Sequence, residues 1–487
     1  MDVAHGTACA TSLRGKPPPV KRLVASPLST TTQQFRTTSN LLRHHFSTRY
    51  AMTTTYDPFH PKYFDEADMR EELTRVFDLC HGCRLCFKFC GSFPTLFDYI
   101  DQHDDQDAEK LTTAQQDKVV DECFNCKLCY INCPYIPELH EWNLDFPRLM
   151  LRAKQVLHET RKQSLKTRTT DAALAHTDLV GRINSGLPAR VVNKAIGTPG
   201  SALRKVVQSA TGISAERVLP PFAKQRFSTW WKKRPAQPAD QSQAKAAIFP
   251  TCLVEYQEAE IGRDLVSVLE HNNVECSLPE GQVCCGAPYL HQGDIESFRK
   301  QAQKNVPVLA QAVRQGYSIV VPQPTCSYVL KFDYPSYIGG GDAKLVSENT
   351  FDSSEYLMKL HKGEDTSIDT EFSGQVPANV TYHAPCHLRA QNIGLKSRDL
   401  LKLTGAKITV VAECSGIDGT WGLRAENYEE SRAVAKKMGN AINRTSPDVI
   451  VGDCHLAASS IKTETGTTPQ HPIEVIARAY GLKEETK

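Results

Sequence analysis

The sequence predicts an α+β protein of several domains, a helical module followed by two copies of an α/β unit. Three observations predict it. Eight cysteines in two identically spaced runs sit among short helical patterns before residue 150. A basic stretch ending in a Pro/Gln/Ala-rich linker (RPAQPADQSQAKA) then marks a boundary. Beyond it, short β-rich apolar runs alternate with helical periods in two matching series, the pattern of parallel sheets.

Composition bounds the rest. The 487 residues suffice for two or three domains, and a net charge of +2 with 40% hydrophobic residues points to no particular partner. No run of eighteen apolar residues occurs, so no stretch reads as a membrane span. The 17 cysteines fall in tight clusters along a long chain, which fits metal–thiolate sites in a reducing compartment better than a disulfide scaffold. The first 51 residues carry Arg14, Lys16, Lys21, Arg22, Arg36, Arg43 and Arg49 against the single acid Asp2. That composition suits a disordered extension or a mitochondrial transit peptide. The preferred reading starts translation at Met52 and places the protein in the cytoplasm. The expected domains are 52–150, a basic connector at 151–245, and the α/β units at 246–372 and 373–487.

Cys80, Cys83, Cys86 and Cys90 (CHGCRLCFKFC) are spaced x2, x2, x3, and Cys123, Cys126, Cys129 and Cys133 (CFNCKLCYINCP) repeat that spacing. Cysteines at every third position wrap one turn around the corner of a cube, and the fourth, at the start of a following helix, reaches the other cluster in two-cluster ferredoxins. Two cubane [4Fe–4S] clusters are therefore expected, one on Cys80, Cys83, Cys86 and Cys133, the other on Cys123, Cys126, Cys129 and Cys90. Zinc modules more often pair two distant C-x2-C knuckles. Gly91 stands where the second run has Pro134, and the helix-forming spacer (DAEKLTTAQQDKVV) favours a helical two-cluster ferredoxin domain.

The α/β unit is written twice. In the first copy strand AAIFP leads to Cys252. A helix near Ile261–Glu270, strand Val274–Ser277, the pair Cys284-Cys285-Gly286, a helix over 294–315 and strand SIVVP towards Cys326 follow. In the second, NVTYH leads to Cys386, then come a helix near Ser397–Leu403, KITVV to Cys414-Ser415-Gly416, a helix over Glu426–Asn443 and DVIVG to Cys454. Ligands of such sheets collect beyond the carboxyl ends of the strands, where these seven cysteines fall. His383, His387 and His455 lie within three residues of them, so zinc on thiolates and imidazole is also open. Cys9 and Cys276 fit no pattern.

Eight such cysteines followed by two repeats centred on CCG resemble the C subunit family of anaerobic glycerol-3-phosphate dehydrogenase and the heterodisulfide reductase-like (CCG domain) iron–sulfur oxidoreductases. The resemblance implies a non-cubane [4Fe–4S] cluster on five cysteines per repeat, the last two as C-x2-C. The first repeat offers Cys252, Cys284, Cys285 and Cys326 but has Val329 in the fifth position. The second offers Cys386, Cys414 and Cys454, with Ser415 and Ala457 replacing cysteines. A further cluster or zinc thus remains open in the repeats. Arg389, Trp421 and Arg424 follow repeat cysteines and are expected to close loops, the alternative being that they line a pocket for an anionic or quinone-like acceptor.

From Arg148 to Arg234 eighteen Lys/Arg face four acids, ending in FAKQRFSTWWKKRP. Rings beside cations suit a peripheral membrane contact through 222–234, at the inner membrane, but a solvated connector packed on the helical module, or a docking face for an acidic partner protein, is the slightly preferred reading. No nucleic-acid-binding pattern accompanies the charge. No flavin, nicotinamide or Walker fingerprint is present, so no catalytic residue for an organic substrate is identified. The expected function is an iron–sulfur subunit passing electrons from a flavoprotein dehydrogenase of the glycerol-3-phosphate, glycolate or lactate type to a quinone. The alternative is a reductase of disulfides or peroxides at the cysteine-rich site, or a donor to a rubrerythrin-type peroxidase.

Overall fold

A computed structural model describes residues 56–160, 165–235 and 242–483. The 1–51 segment and Cys9 lie outside the described residues.

The helical module begins with the helix Glu66–Cys83, capped by the Asp65 carboxylate on the Asp68 amide and stopped at Arg84, whose φ of 52° leaves the helical region. Met69, Leu73, Val76 and Phe77 form its buried face. This face meets the helix Phe146–Thr160, where Arg152, fully buried, pairs with Asp68 at 2.8 Å and donates to the Tyr63 and Lys62 carbonyls. Phe93, on the helix Ser92–Asp101, stacks on Phe146 with centroids 4.6 Å apart. The spacer between the cysteine runs is helical over Thr113–Asp121, opened by a Thr112/Gln115 capping box. One detail departs from expectation. Cys80 and Cys83 occupy the last turn of the first helix, and Cys133 caps the end of the short helix Leu128–Asn132 rather than starting one.

The basic middle is a string of helices, Leu165–Ala175, Thr177–Asn184, Ala189–Ile196, Ala202–Thr211 and Phe227–Trp231. Two of its cations are structural. Arg204 is fully buried and donates to the Ala215, Ser214 and Arg217 carbonyls. Arg217 reaches into the second α/β unit, donating to the Gly422 carbonyl at 2.6 Å and the Ser431 hydroxyl at 2.7 Å, over the Tyr428 ring. The 222–234 segment differs from its sequence reading. Phe227 is buried, Trp230 and Trp231 pack against the core, and Arg234 lies 3.8 Å from the Trp231 centroid while pairing with Glu270. Its rings are thus partly spent on protein packing, Phe227 wholly and the two tryptophans in part.

Both α/β units are parallel sheets with the first strand central. In the first, β1 (Ala244–Ile248) lies between β2 (Val274–Ser277) and β3 (Ser318–Val321), with β4 (Thr350–Asp352) beyond β3. In the second, β5 (Asn379–His383) lies between β6 (Lys407–Val411) and β7 (Val449–Gly452). β4 escaped the sequence reading because three residues inside the helical-looking NTFDSSEY carry too little periodicity to register. The units share one core: Ile248, Leu265 and Val320 belong to the same apolar cluster as Val380, Leu400, Val451 and Ile476. A buried polar seam crosses it, with Tyr382 donating to Asp453 at 2.6 Å and Ser397 to Ser354 at 2.9 Å.

Among the described residues no helix is long and apolar enough to cross a membrane. Replacing Arg217 by Ala strands a buried carbonyl and a hydroxyl, and is expected to cost about 3 kcal/mol, with lysine recovering part of it. Thermal unfolding of both variants checks this, and an unchanged melting temperature in Arg217→Ala would refute the anchoring role.

Candidate metal centres and a cysteine-lined cavity

The fold places the two cysteine runs side by side, with Cys86 neighbouring both Cys133 and Cys126. Burial, then the neighbouring thiols of Cys86, Cys133 and Cys83, pushes the Cys80 thiol well up. Burial followed by Cys123 and Cys126 does the same at Cys90, and Cys129 lies among Cys126, Cys123 and Cys90. Cys83 is exposed, whereas Cys123 and Cys129 are buried, so one cage opens to the surface and the other faces inward. Asn125 and Lys127, with φ of 47° and 62°, bend the second run back on itself. Adjacent buried thiols resist losing their protons because each thiolate would repel the next without water to screen it. A positively charged iron core removes that obstacle, and an all-sulfur donor set is the one iron–sulfur clusters use. The residues therefore fit the group.

All seven repeat cysteines follow the carboxyl ends of strands. Cys252, Cys284/Cys285 and Cys326 come after β1, β2 and β3; Cys386, Cys414 and Cys454 come after β5, β6 and β7. Because the two sheets present these ends to one another, all seven line a single cavity of about 280 Å³, together with Cys126 from the helical module. Cys285 and Cys326 stand 3.3 Å apart, sulfur to sulfur. Cys252 donates to Cys284, which holds the Cys284 thiol well down and raises that of Cys252. Burial raises Cys454 to about 11. Among the described residues no group of three His, Cys, Asp or Glu side chains is gathered tightly enough to hold a single metal ion, in the two four-cysteine runs as in the repeats.

Several supporting residues carried no sequence signal. Asn305, fully buried on the helix Ile295–Arg314, accepts from the Val283 amide and donates to the Val283 and Cys284 carbonyls and to Tyr334. Tyr334 in turn donates to the Cys285 carbonyl at 3.1 Å. Asp178, from the connector, accepts the Cys284 amide at 2.9 Å. Gly286 has φ of 89°, and a Cβ there would meet Phe298 at 2.8 Å, so the third letter of CCG is needed for both turn and packing. Val329, in the missing fifth position, is buried at the start of a π-helical turn over Val329–Asp333.

The histidines divide. His387 uses both nitrogens, on the Asn125 carbonyl at 3.0 Å and the Thr325 hydroxyl at 2.9 Å, and burial lowers it to about 4. His383 bonds the Glu413 carbonyl through Nε2, leaving Nδ1 without a partner. His455 is buried, 3.8 Å from Glu258. Arg389, Trp421 and Arg424 do not line the cysteine cavity. As expected they close loops, Arg389 on the Ala412 carbonyl, Trp421 against Phe124, and Arg424 on Asp171, and Trp421 and Arg424 also line a separate pocket with Lys154 and His158. Cys276 lies on β2, packed against the core and outside the cavity.

Two four-cysteine runs beside a cavity lined by seven further cysteines are the donor set of an iron–sulfur electron-transfer protein. The 4Fe-4S dicluster domain family matches residues 72–134, and the cysteine-rich domain family matches 246–331 and again 380–461. Over 325 residues the chain is 30% identical to the C subunit of anaerobic glycerol-3-phosphate dehydrogenase from Escherichia coli (strain K12), covering 66% of this chain and 79% of that one. It is 29% identical over 225 residues to the B subunit of fumarate reductase (CoM/CoB) from Methanothermobacter marburgensis (45% and 42% covered). It is 26% identical over 221 residues to lactate utilization protein A of Bacillus licheniformis (43% and 87%). The chain belongs to the family of the anaerobic glycerol-3-phosphate dehydrogenase C subunit, and iron–sulfur clusters are its cofactors.

Asn305→Leu removes the side chain that holds the CCG turn and is expected to cost about 3 kcal/mol. In the cluster-free chain it should speed alkylation of Cys284 and Cys285 several-fold; equal rates would show that the turn holds without it.

Proposed function

We propose that this chain is the electron-transfer subunit of a dehydrogenase, taking electrons from a flavoprotein partner and delivering them to a quinone. Two [4Fe–4S] clusters, one on Cys80, Cys83, Cys86 and Cys133, the other on Cys90, Cys123, Cys126 and Cys129, supply one-electron carriers when bound. The observation that carries this reading is the seating of the second cysteine run on the cavity: Cys126 neighbours Cys386 in the cavity lining, and His387 holds the Asn125 carbonyl. An electron entering at the exposed cage therefore has an inner cage and then a cysteine-lined cavity in line before it. Relatives named as subunits of a glycerol-3-phosphate dehydrogenase and a fumarate reductase support a partner subunit.

The supporting roles are local. Asn305 and Tyr334 hold the Cys284–Cys285 turn, and Thr325 and Asn125 fix His387 between the helical module and both repeats. For the Cys252, Cys284, Cys285 and Cys326 group, and for Cys386, Cys414 and Cys454, we propose a further cluster in the cavity. The close Cys285–Cys326 pair also supports a second reading, disulfide reduction at the same place. A disulfide substrate should then alter the cluster EPR signal, whereas a quinone acceptor predicts no response to any disulfide.

A peripheral membrane contact fits the outer face of the connector better than 222–234. Leu179, Ile183, Leu187, Val191, Leu203 and Val206 are exposed there, Leu187 almost wholly, beside the exposed cations Arg182, Arg190, Lys194 and Lys205. Aliphatic side chains among cations match an anionic lipid surface.

Two measurements test these readings. Cys133→Ser and Cys90→Ser should each remove one of two reduced-cluster EPR signals, a different one in each case, and stop quinone reduction by the partner complex. Full quinone reduction without this chain would overturn the proposal. Leu187→Glu with Val191→Glu should lower flotation with phosphatidylglycerol vesicles several-fold at unchanged iron content, and undiminished flotation would remove the connector from the membrane.

A further inference from the structure

The two cysteine runs differ in what surrounds them. Cys83 is exposed, and so are its neighbours Gly82, Arg84 and Leu85, whereas Cys123 and Cys129 are buried. An iron–sulfur cluster on four thiolates gains negative charge when it is reduced, and burial penalises the more highly charged form. Burial by itself therefore makes the inner run the harder of the two to reduce. An electron entering at the exposed run would have to move uphill to go further.

Two cations oppose this. Lys154, on the helix Phe146–Thr160, donates from Nζ to the Cys123 carbonyl at 3.0 Å. Lys127, between Cys126 and Cys129, is only 4% exposed, and its Nζ has no hydrogen-bond partner; it lies 5.9 Å from the centroid of the Tyr328 ring. Burial pushes the Cys123 thiol up to about 11, and Lys154, the Asn125 amide and Lys127 pull it back, so both charges are felt at that sulfur.

The other charged groups around these lysines offset them only in part. Asp145, Asp333 and Asp418 are all raised by burial, Asp145 to about 6 and Asp418 to about 7, and Asp145 is paired with Arg148 at 3.5 Å. His291 and His387 are held low by burial and add no charge. The cations of the first run are spent or screened: Arg75 pairs with Glu72 at 2.7 Å, Arg84 pairs with Asp101, and Lys88 is exposed to water and salt.

We propose that Lys127 and Lys154 set the direction of electron flow, holding the inner cluster's reduction potential at or above that of the outer one. This rests on the two-cluster reading above and adds which residues make the inward step favourable. The step moves one electron and no proton: the outer group is oxidised as the inner one is reduced. A fixed ammonium stabilises the extra negative charge of the reduced inner group, and the low dielectric around it keeps that interaction strong. Neither lysine is a ligand; each is a positioning residue that acts on the electron through its charge alone.

Potentiometric titration of the full, cluster-loaded chain, followed by EPR, tests this. Cys90→Ser and Cys133→Ser identify the inner and the outer signal. In the wild type the inner midpoint is expected to equal or exceed the outer one; an inner midpoint below the outer overturns the proposal without any lysine variant having to fold. Lys127→Met with Lys154→Met should lower the inner midpoint by about 59 mV, a tenfold fall in the reduced-to-oxidised ratio at fixed potential, and leave the outer one unmoved. Lys127→Arg with Lys154→Arg should keep the wild-type value. An inner midpoint that stays put in the methionine pair, that moves as much in the arginine pair, or that moves together with the outer one overturns the assignment. A wild-type chain with fewer than two reduced-cluster signals removes the two-cluster reading itself, and the proposal with it.

Discussion

Four residues, Phe124 to Lys127, join the three parts of this molecule, and the relay depends on where they sit. Phe124 packs on Trp421 at 4.8 Å between centroids, the Asn125 carbonyl takes a hydrogen bond from His387, Cys126 meets Cys386, and Lys127 lies over the Tyr328 ring. The loop achieves this with two non-glycine residues at positive φ, one of them a lysine, a backbone conformation that costs of order 1–2 kcal/mol per residue. Tertiary contacts must supply that energy, and they do so from both repeats at once: Tyr328 belongs to the first and Trp421 and His387 to the second. Electron transfer weakens steeply with distance, so a loop pinned from two sides keeps the inner cage at a fixed separation from the cavity.

That pinning is possible because the repeats are not two independent beads. Their apolar residues form one cluster, and the Tyr382–Asp453 and Ser397–Ser354 hydrogen bonds run through it. Each sheet has its first strand in the centre, so the chain leaves that strand to one side and returns to the other, opening a crevice at the carboxyl ends. Turning two such crevices towards each other gathers cysteines from six loops around one space. Neither repeat alone would enclose it.

Much of this was legible in the residues. The cysteine spacing announced iron–sulfur clusters, and the dicluster family model matches the stretch that holds both runs. Strands β1 to β3 and β5 to β7 carry continuous apolar runs, which is why their ends located all seven cavity cysteines. What stayed hidden had no periodicity to reveal it. β4 is three residues long; Asn305 and Asp178 are lone polar residues on helices whose role appears only when a distant turn packs against them. The aromatic-and-lysine segment at 222–234 misled because composition does not tell which way a ring points. Phe227 packs against Val254 beneath Gly262, where any Cβ would clash with it, so the segment is a strap on the first repeat.

The connector gains most from seeing both faces of its helices. Its eighteen cations against four acids read as one basic surface in the sequence, yet Arg152, Arg204 and Arg217 are spent inside, on Asp68, the Ser214 turn and the Gly422 loop. With those buried, part of the remaining surface is an apolar strip edged by Arg182, Arg190, Lys194 and Lys205, while Val180 and Ile196 of the same short helices line the cysteine cavity. A helix apolar on two sides is expected either in a core or between two apolar environments. Here one environment is the cavity; the other is outside the protein. The buried arginines hold such helices in place without an apolar core of their own, which leaves their aliphatic side chains free to form a wall between the two.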